Sequence, residues 1–108
     1  MSRATDEMVY EALAQSGVPG TRHAWAEGTK PPLPWFTYRL TNGGEVHADS
    51  RNYAALPRYR AELHLAEADP ELEEAFRDAV AAIGPYSYGE EYDEEDAALV
   101  MTYDFTVC

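Results

Sequence analysis

The sequence predicts an α+β fold: an antiparallel-rich mixed sheet with two helices packed on one face, in the order α-β-β-β-β-α-β-β. Three observations predict it. Tyr59, Ala61, Leu63 and Leu65 alternate with Arg58, Arg60, Glu62 and His64, the period of a half-buried strand. Leu72, Phe76, Ala79, Val80 and Ile83 repeat at helical spacing behind Asp69-Pro70. Pro31, Pro32 and Pro34 rule out a helix across residues 31–34, and they run straight into Trp35-Phe36-Thr37-Tyr38, whose aromatic rings favour a pleated surface. With so few strands, packing both helices as one layer on the sheet is the economical way to bury the apolar faces.

Taken in order, Thr5 or Asp6 is placed to cap a first helix over roughly residues 5 to 15. Its stripe pairs Val9 with Leu13 and Met8 with Ala12, and Gly17-Val18-Pro19-Gly20 ends it. Residues 21 to 26 are expected to form a short strand, with His23 and Trp25 on one face. The proline arm at 27–34 follows, then a strand from Trp35 to Leu40. Thr41-Asn42-Gly43-Gly44 reads as a turn into a short strand over 45–48. Residues 49 to 57 read as a loop before the strand at 58–65. The second helix starts at Asp69-Pro70, with Glu71 and Glu73 early in it, and stops at Gly84-Pro85. Residues 86 to 89 approach a final strand over 97–107, which puts Leu99, Met101, Tyr103, Phe105 and Val107 on one face.

The chain has 108 residues, the size of a single domain spanning 1–108. Hydrophobic content of 45% indicates a folded protein, and no apolar run is long enough for a transmembrane helix. Residues 1–7 lack the apolar stretch of a signal peptide. With one cysteine, Cys108, no disulfide forms within the chain, which fits synthesis in a reducing cytoplasm. Twenty acidic residues against 8 basic ones give a formal net charge of −12, which disfavours nucleic acid and anionic membranes and favours basic partners.

The pattern points to assembly rather than chemistry. His23, His47 and His64 show no HxH, HxxxH or CxxC spacing, so structural or surface roles are expected and no metal or cofactor is assigned. Ser50 and Ser87 lack a nucleophile elbow, the glycines form no phosphate cradle, and no catalytic residue is assigned. Glu90, Glu91, Asp93, Glu94, Glu95 and Asp96 make an acidic loop between the last two strands. It reads either as a solvated tip or as a surface facing a basic partner or a channel lumen. The arm residues Lys30, Pro31, Pro32, Leu33 and Pro34 should be exposed and preorganised for contact. Arg51, Tyr53, Arg58 and Arg60 are the other candidate interface residues.

Several segments also carry a resemblance. They are Ser16-Gly17-Val18-Pro19, Glu27-Gly28-Thr29-Lys30-Pro31-Pro32 with Trp35-Phe36-Thr37-Tyr38, and Ala48-Asp49-Ser50-Arg51-Asn52-Tyr53. Tyr59 to Leu65, Asp69-Pro70-Glu71-Leu72-Glu73, the acidic turn and Met101-Thr102-Tyr103-Asp104-Phe105 complete the set. In this order they resemble the tail terminator, tail completion and head-to-tail joining proteins of tailed phages and prophages. The resemblance covers most of the chain. It implies a lambda-type tail-terminator fold and a homo-oligomeric ring of six copies that caps the tail tube and joins it to the head-closure or connector protein. It further implies that DNA passes through the ring without specific binding, that the protein is made in the bacterial cytoplasm and works in the virion neck, and that it is not an enzyme. A head-closure or adaptor protein of the neck is one alternative. An acidic inhibitor or immunity-type binding protein is another.

Overall fold

Alternating apolar residues on the strands at 58–65 and 98–106 set the centre of the fold. The computed structural model describes residues 3–41 and 56–107. It contains α1 (Arg3–Ala14), β1 (Gly20–Arg22), β2 (Trp35–Leu40), β3 (Arg58–Leu65), α2 (Pro70–Ile83), β4 (Tyr86–Asp93) and β5 (Ala98–Thr106). One five-stranded sheet runs in the order β1-β2-β3-β5-β4. β1 lies parallel to β2, and every other neighbouring pair is antiparallel. The fold is therefore α+β, with a mixed, mostly antiparallel sheet and the order α-β-β-β-α-β-β across the described residues. The expected turn at 41–44 and strand over 45–48 lie outside the described residues apart from Thr41. So do Arg51 and Tyr53 of the loop that follows.

The register lines up one apolar face. Phe36 stands beside Leu63, Tyr38 beside Ala61, Leu63 beside Met101, and Tyr59 beside Phe105. Both helices lie on this face. The Phe36 ring meets Tyr10 of α1 at 6.1 Å and Phe76 of α2 at 5.5 Å. Phe76 continues to Tyr103 at 5.4 Å, and Tyr103 stacks with Tyr88 at 5.5 Å. Val9, Leu13, Phe76 and Val80 are fully buried, as the helical stripes predict, whereas Met8 stays largely exposed.

α2 forms as its local sequence dictates. The Asp69 carboxylate accepts from the Leu72 backbone N–H at 3.2 Å, and Glu73 reaches back to accept from the Asp69 N–H at 2.9 Å. Pro70 takes the first turn, where its missing N–H leaves nothing unpaired. α1 departs from expectation. It starts at Arg3, so Asp6 sits inside its first turn instead of capping it. The Asp6 carboxylate accepts a hydrogen bond from the Tyr59 hydroxyl and pairs with Arg22 at 3.3 Å, tying helix to sheet.

Two strand boundaries differ from those expected. The strand expected over 21–26 ends at Arg22, because His23 adopts a φ of 67°, outside the pleated range. The segment expected only to approach the last strand is itself an eight-residue strand, Tyr86–Asp93. Tyr86, Tyr88 and Tyr92 share one face there, opposite Phe105, Tyr103 and Leu99. Cross-strand aromatic pairing outweighs the weak strand preference of Gly89 and the glutamates. As a result Glu90, Glu91 and Asp93 belong to an edge strand, and only Glu94, Glu95 and Asp96 lie in the turn. Strand positions cost these acids little, because every residue from Ser87 to Tyr92 is exposed.

Gly20 is required by a close approach. A Cβ added there would lie 2.1 Å from the Phe36 ring. Gly20→Ala is expected to lower stability by about 1–3 kcal/mol through overpacking. Gly89, where an added Cβ meets nothing within 4 Å, serves as the control, and Gly89→Ala should change the denaturant midpoint little. A second expectation concerns alkaline pH. Burial is the largest of the causes that push the phenols of Tyr38, Tyr59 and Tyr103 above the ordinary value of 10.0. For Tyr59 the bond to Asp6 adds to it. Groups raised in this way contribute stability that is present below the unfolded value and lost as pH rises toward the folded one. Stability measured by urea unfolding should therefore fall above pH 10, with a shallower slope in Tyr59→Phe.

Candidate functional site

The proline arm and the sheet face away from the helices form one continuous surface. A turn at Ala26–Thr29 starts the arm. Gly28 has a φ of 82°, and the Thr29 N–H and hydroxyl both donate to the Ala26 carbonyl, at 3.0 and 2.7 Å. This aims Lys30 across the surface to the far hairpin, where its ammonium lies 3.3 Å from both carboxylate oxygens of Asp96. The same ammonium sits 5.6 Å from the centre of the Trp35 ring. Pro32 and Pro34 are exposed, whereas Pro31 is half-buried and Leu33 packs against the core. The Leu33–Pro34 peptide bond is cis. The arm is thus partly anchored instead of standing fully free.

Beneath the arm lies an aromatic cluster. Register places Trp35 next to His64, and His64 next to Val100. The Trp35 and His64 rings stack at 4.0 Å with 22° between their planes, and Trp25 meets Trp35 edge-on at 5.9 Å. Alternation alone puts His64 on a wet face, yet it is only 8% exposed, because Trp35 roofs it. Its Nε2 lies 3.5 Å from Glu62 Oε1. The bond to His64 holds the Glu62 carboxyl below its ordinary value, against an opposing push from burial. Trp25 Nε1 and His64 Nδ1 are buried without hydrogen-bond partners among the described residues.

Further along the same face, Arg60 makes a two-pronged contact with Asp104, 2.8 Å from Nε and 3.4 Å from Nη2. Arg58 shares this face and is exposed. A recess of about 370 Å³ lies between Arg60, Glu62, Asp104 and the β4 residues Glu90 and Glu91. The expected interface residues therefore converge in two places. Lys30 meets Asp96, and Arg60, held by Asp104, shares a recess with the β4 acids Glu90 and Glu91. Arg51 and Tyr53 lie outside the described residues. The aromatic cluster of Trp25, Trp35 and His64 was missed from sequence. Its signal was the Trp35 position on the polar side of β2, which register converts into contact with His64.

The surface offers charge and aromatic area, with cations and carboxylates paired to each other. Among the described residues no cluster of three or more His, Cys, Asp or Glu is placed to hold a metal ion, and no helix is long and apolar enough to cross a membrane. Neither the protein-family models nor the curated proteins contain a match to this chain.

Two measurements probe this surface. A double-mutant cycle with Lys30→Met and Asp96→Asn should give a coupling below about 1 kcal/mol, since both side chains are well solvated. Amide exchange at Thr29, Lys30 and Leu33 should nonetheless quicken in Lys30→Met, because the arm loses its tie to the hairpin. For Glu62, a lowered folded pKa means stability present above the ordinary 4.5 and lost as pH falls through the lower folded value. The acid limb of the stability profile should therefore be flatter in Glu62→Gln than in the wild type.

Proposed function

We propose that this chain is a structural subunit of a long-tailed phage virion: a tail terminator whose copies form a ring, capping the tail tube and joining it to the head connector. The resemblance running from Ser16 to Phe105 supports this reading. The observation that carries it is β4. This strand is eight residues long, pairs with β5 on one side, and presents exposed residues from Ser87 to Tyr92 at one end of the sheet. The opposite end is the three-residue β1. A sheet with two unlike ends suits contacts between different patches on neighbouring copies, the kind a closed ring requires.

In this reading six copies close the ring. Lys30 to Pro34, Arg58 and Arg60 face a neighbouring subunit, the tail tube protein or the head-closure protein. Glu90, Glu91, Asp93, Glu94, Glu95 and Asp96 line the opening or meet a basic partner, and in the opening their charge repels passing DNA instead of holding it. The protein acts without a cofactor or catalysis, is made in the host cytoplasm and resides in the neck of the virion. A head-closure ring in the same neck has similar geometry and different neighbours. The exposed acids of β4 favour one further reading, an inhibitor that docks on a basic enzyme.

Native mass spectrometry over a range of concentrations, with and without purified tail tubes, tests the ring. Assemblies at multiples of 12.1 kDa, centred on six copies, are expected. A chain that stays monomeric even with tubes present overturns the reading. Neutralising Glu90, Glu91 and Asp93 separates the roles of the acids. Loss of assembly with an intact fold puts them in a contact, and retained assembly fits a solvated edge or the opening and argues against a contact.

A further inference from the structure

The sheet closes differently at its two ends. β1 is three residues long, which leaves little edge for another chain to pair with. β4 is eight residues long, Tyr86–Asp93, and pairs with β5 alone among the described residues. Its register with β5 runs without interruption, so no bulge turns this edge away. No proline interrupts the strand, and every residue from Ser87 to Tyr92 is exposed.

The ladder fixes which backbone groups are free. The Thr106 N–H donates to the Pro85 carbonyl at 3.1 Å, and this bond sets the phase of the antiparallel pairing. Ser87, Gly89, Glu91 and Asp93 therefore turn their backbone groups toward β5. Tyr88, Glu90 and Tyr92 turn theirs outward, where the N–H and C=O groups have no partner among the described residues. The side chains divide as well. Tyr88 and Tyr92, opposite Tyr103 and Leu99, lie on the helix side and are 52% and 60% exposed. Glu91 and Asp93, opposite Val100 and Ala98, lie on the other side.

We propose that β4 accepts a sixth strand: an extended segment of a partner protein, with apolar side chains along the tyrosines and Lys or Arg along Glu91 and Asp93. The free backbone groups supply hydrogen bonds to any extended chain, and the alternating side chains supply the selection. The two exposed rings offer apolar area on one face, and the two carboxylates attract cations on the other. The acids also argue against a second copy of this chain in that place. Two β4 strands side by side would set Glu90, Glu91 and Asp93 against the same three acids, and like charges across a ladder are destabilising. Strand addition deepens the basic-partner role proposed above for these acids. It stands apart from ring formation, because assembly is read by mass and strand addition by amide protection, so each can fail alone.

Titration of the full chain with acetyl-Val-Lys-Val-Arg-Val-Lys-Val-amide, followed by amide hydrogen exchange, tests it. Saturable binding is expected, weakening as salt rises. At saturation, exchange at Tyr88, Glu90 and Tyr92 should slow about tenfold or more, while Ser87, Gly89 and Glu91, already bonded to β5, change little. The counterpart with Glu in place of Lys and Arg should not bind measurably. Glu91→Gln with Asp93→Asn should weaken binding about fivefold. Asn at 93 can still accept from the Glu95 N–H, as Asp93 does at 3.0 Å, so the hairpin keeps its turn. The basic peptide N-methylated at every residue keeps its charges and loses its internal backbone donors, and it should bind far more weakly. Equal binding of that peptide, binding that leaves the three outward amides unprotected, or no saturable binding overturns the proposal. Protection of the same amides that grows with chain concentration in the absence of peptide gives the edge to a second copy and overturns its assignment to a partner protein.

Discussion

The ring of Phe36 is the constraint on which the other elements depend. It lies over Gly20, meets Tyr10 and packs on Phe76. Any side chain at residue 20 would push β1 off β2, and β1 carries Arg22, the partner of Asp6. Without Phe76 against it, α2 would lose its main aromatic anchor on the sheet. One side chain thus sets the spacing of a parallel strand and two helices at once, in a core with no room to absorb a misfit.

Because both helices crowd onto that side, the other side of the sheet must solve its own burial problem. It does so unevenly. Near the arm, Trp35, Trp25 and His64 form a small apolar patch under Lys30. Farther along, Arg60 and Asp104 hold each other at the surface. The sheet is therefore dry at one end of this face and charged at the other, and the arm covers the dry end. This division gives the molecule two chemically distinct surfaces on one side of its sheet.

Much of this architecture was legible in the chain. The second helix was readable because its signals are local: Asp69 caps, Pro70 starts, and Phe76, Val80 and Ile83 fall on one stripe. The alternation on β3 and β5 was equally plain. Long-range pairing was not. β4 contains glycine and glutamates that argue against a strand, and only the tyrosine ladder against β5 makes it one. The burial of His64 depends on register with Trp35, 29 positions earlier in the chain. The tie from Lys30 to Asp96 spans 66 positions, and nothing in either neighbourhood announces it.

Lys30 is the one lysine among 108 residues. The single side-chain amine of the sequence thus stands where the arm, the Trp35 ring and the acidic hairpin meet. Amine-directed reagents that react with side chains will reach this junction and no other point. A fluorophore or cross-linker attached there reports directly on whether the arm lies against the hairpin or has moved to something else. The composition of the chain has, in effect, left one chemically addressable handle at the junction of arm, indole ring and hairpin.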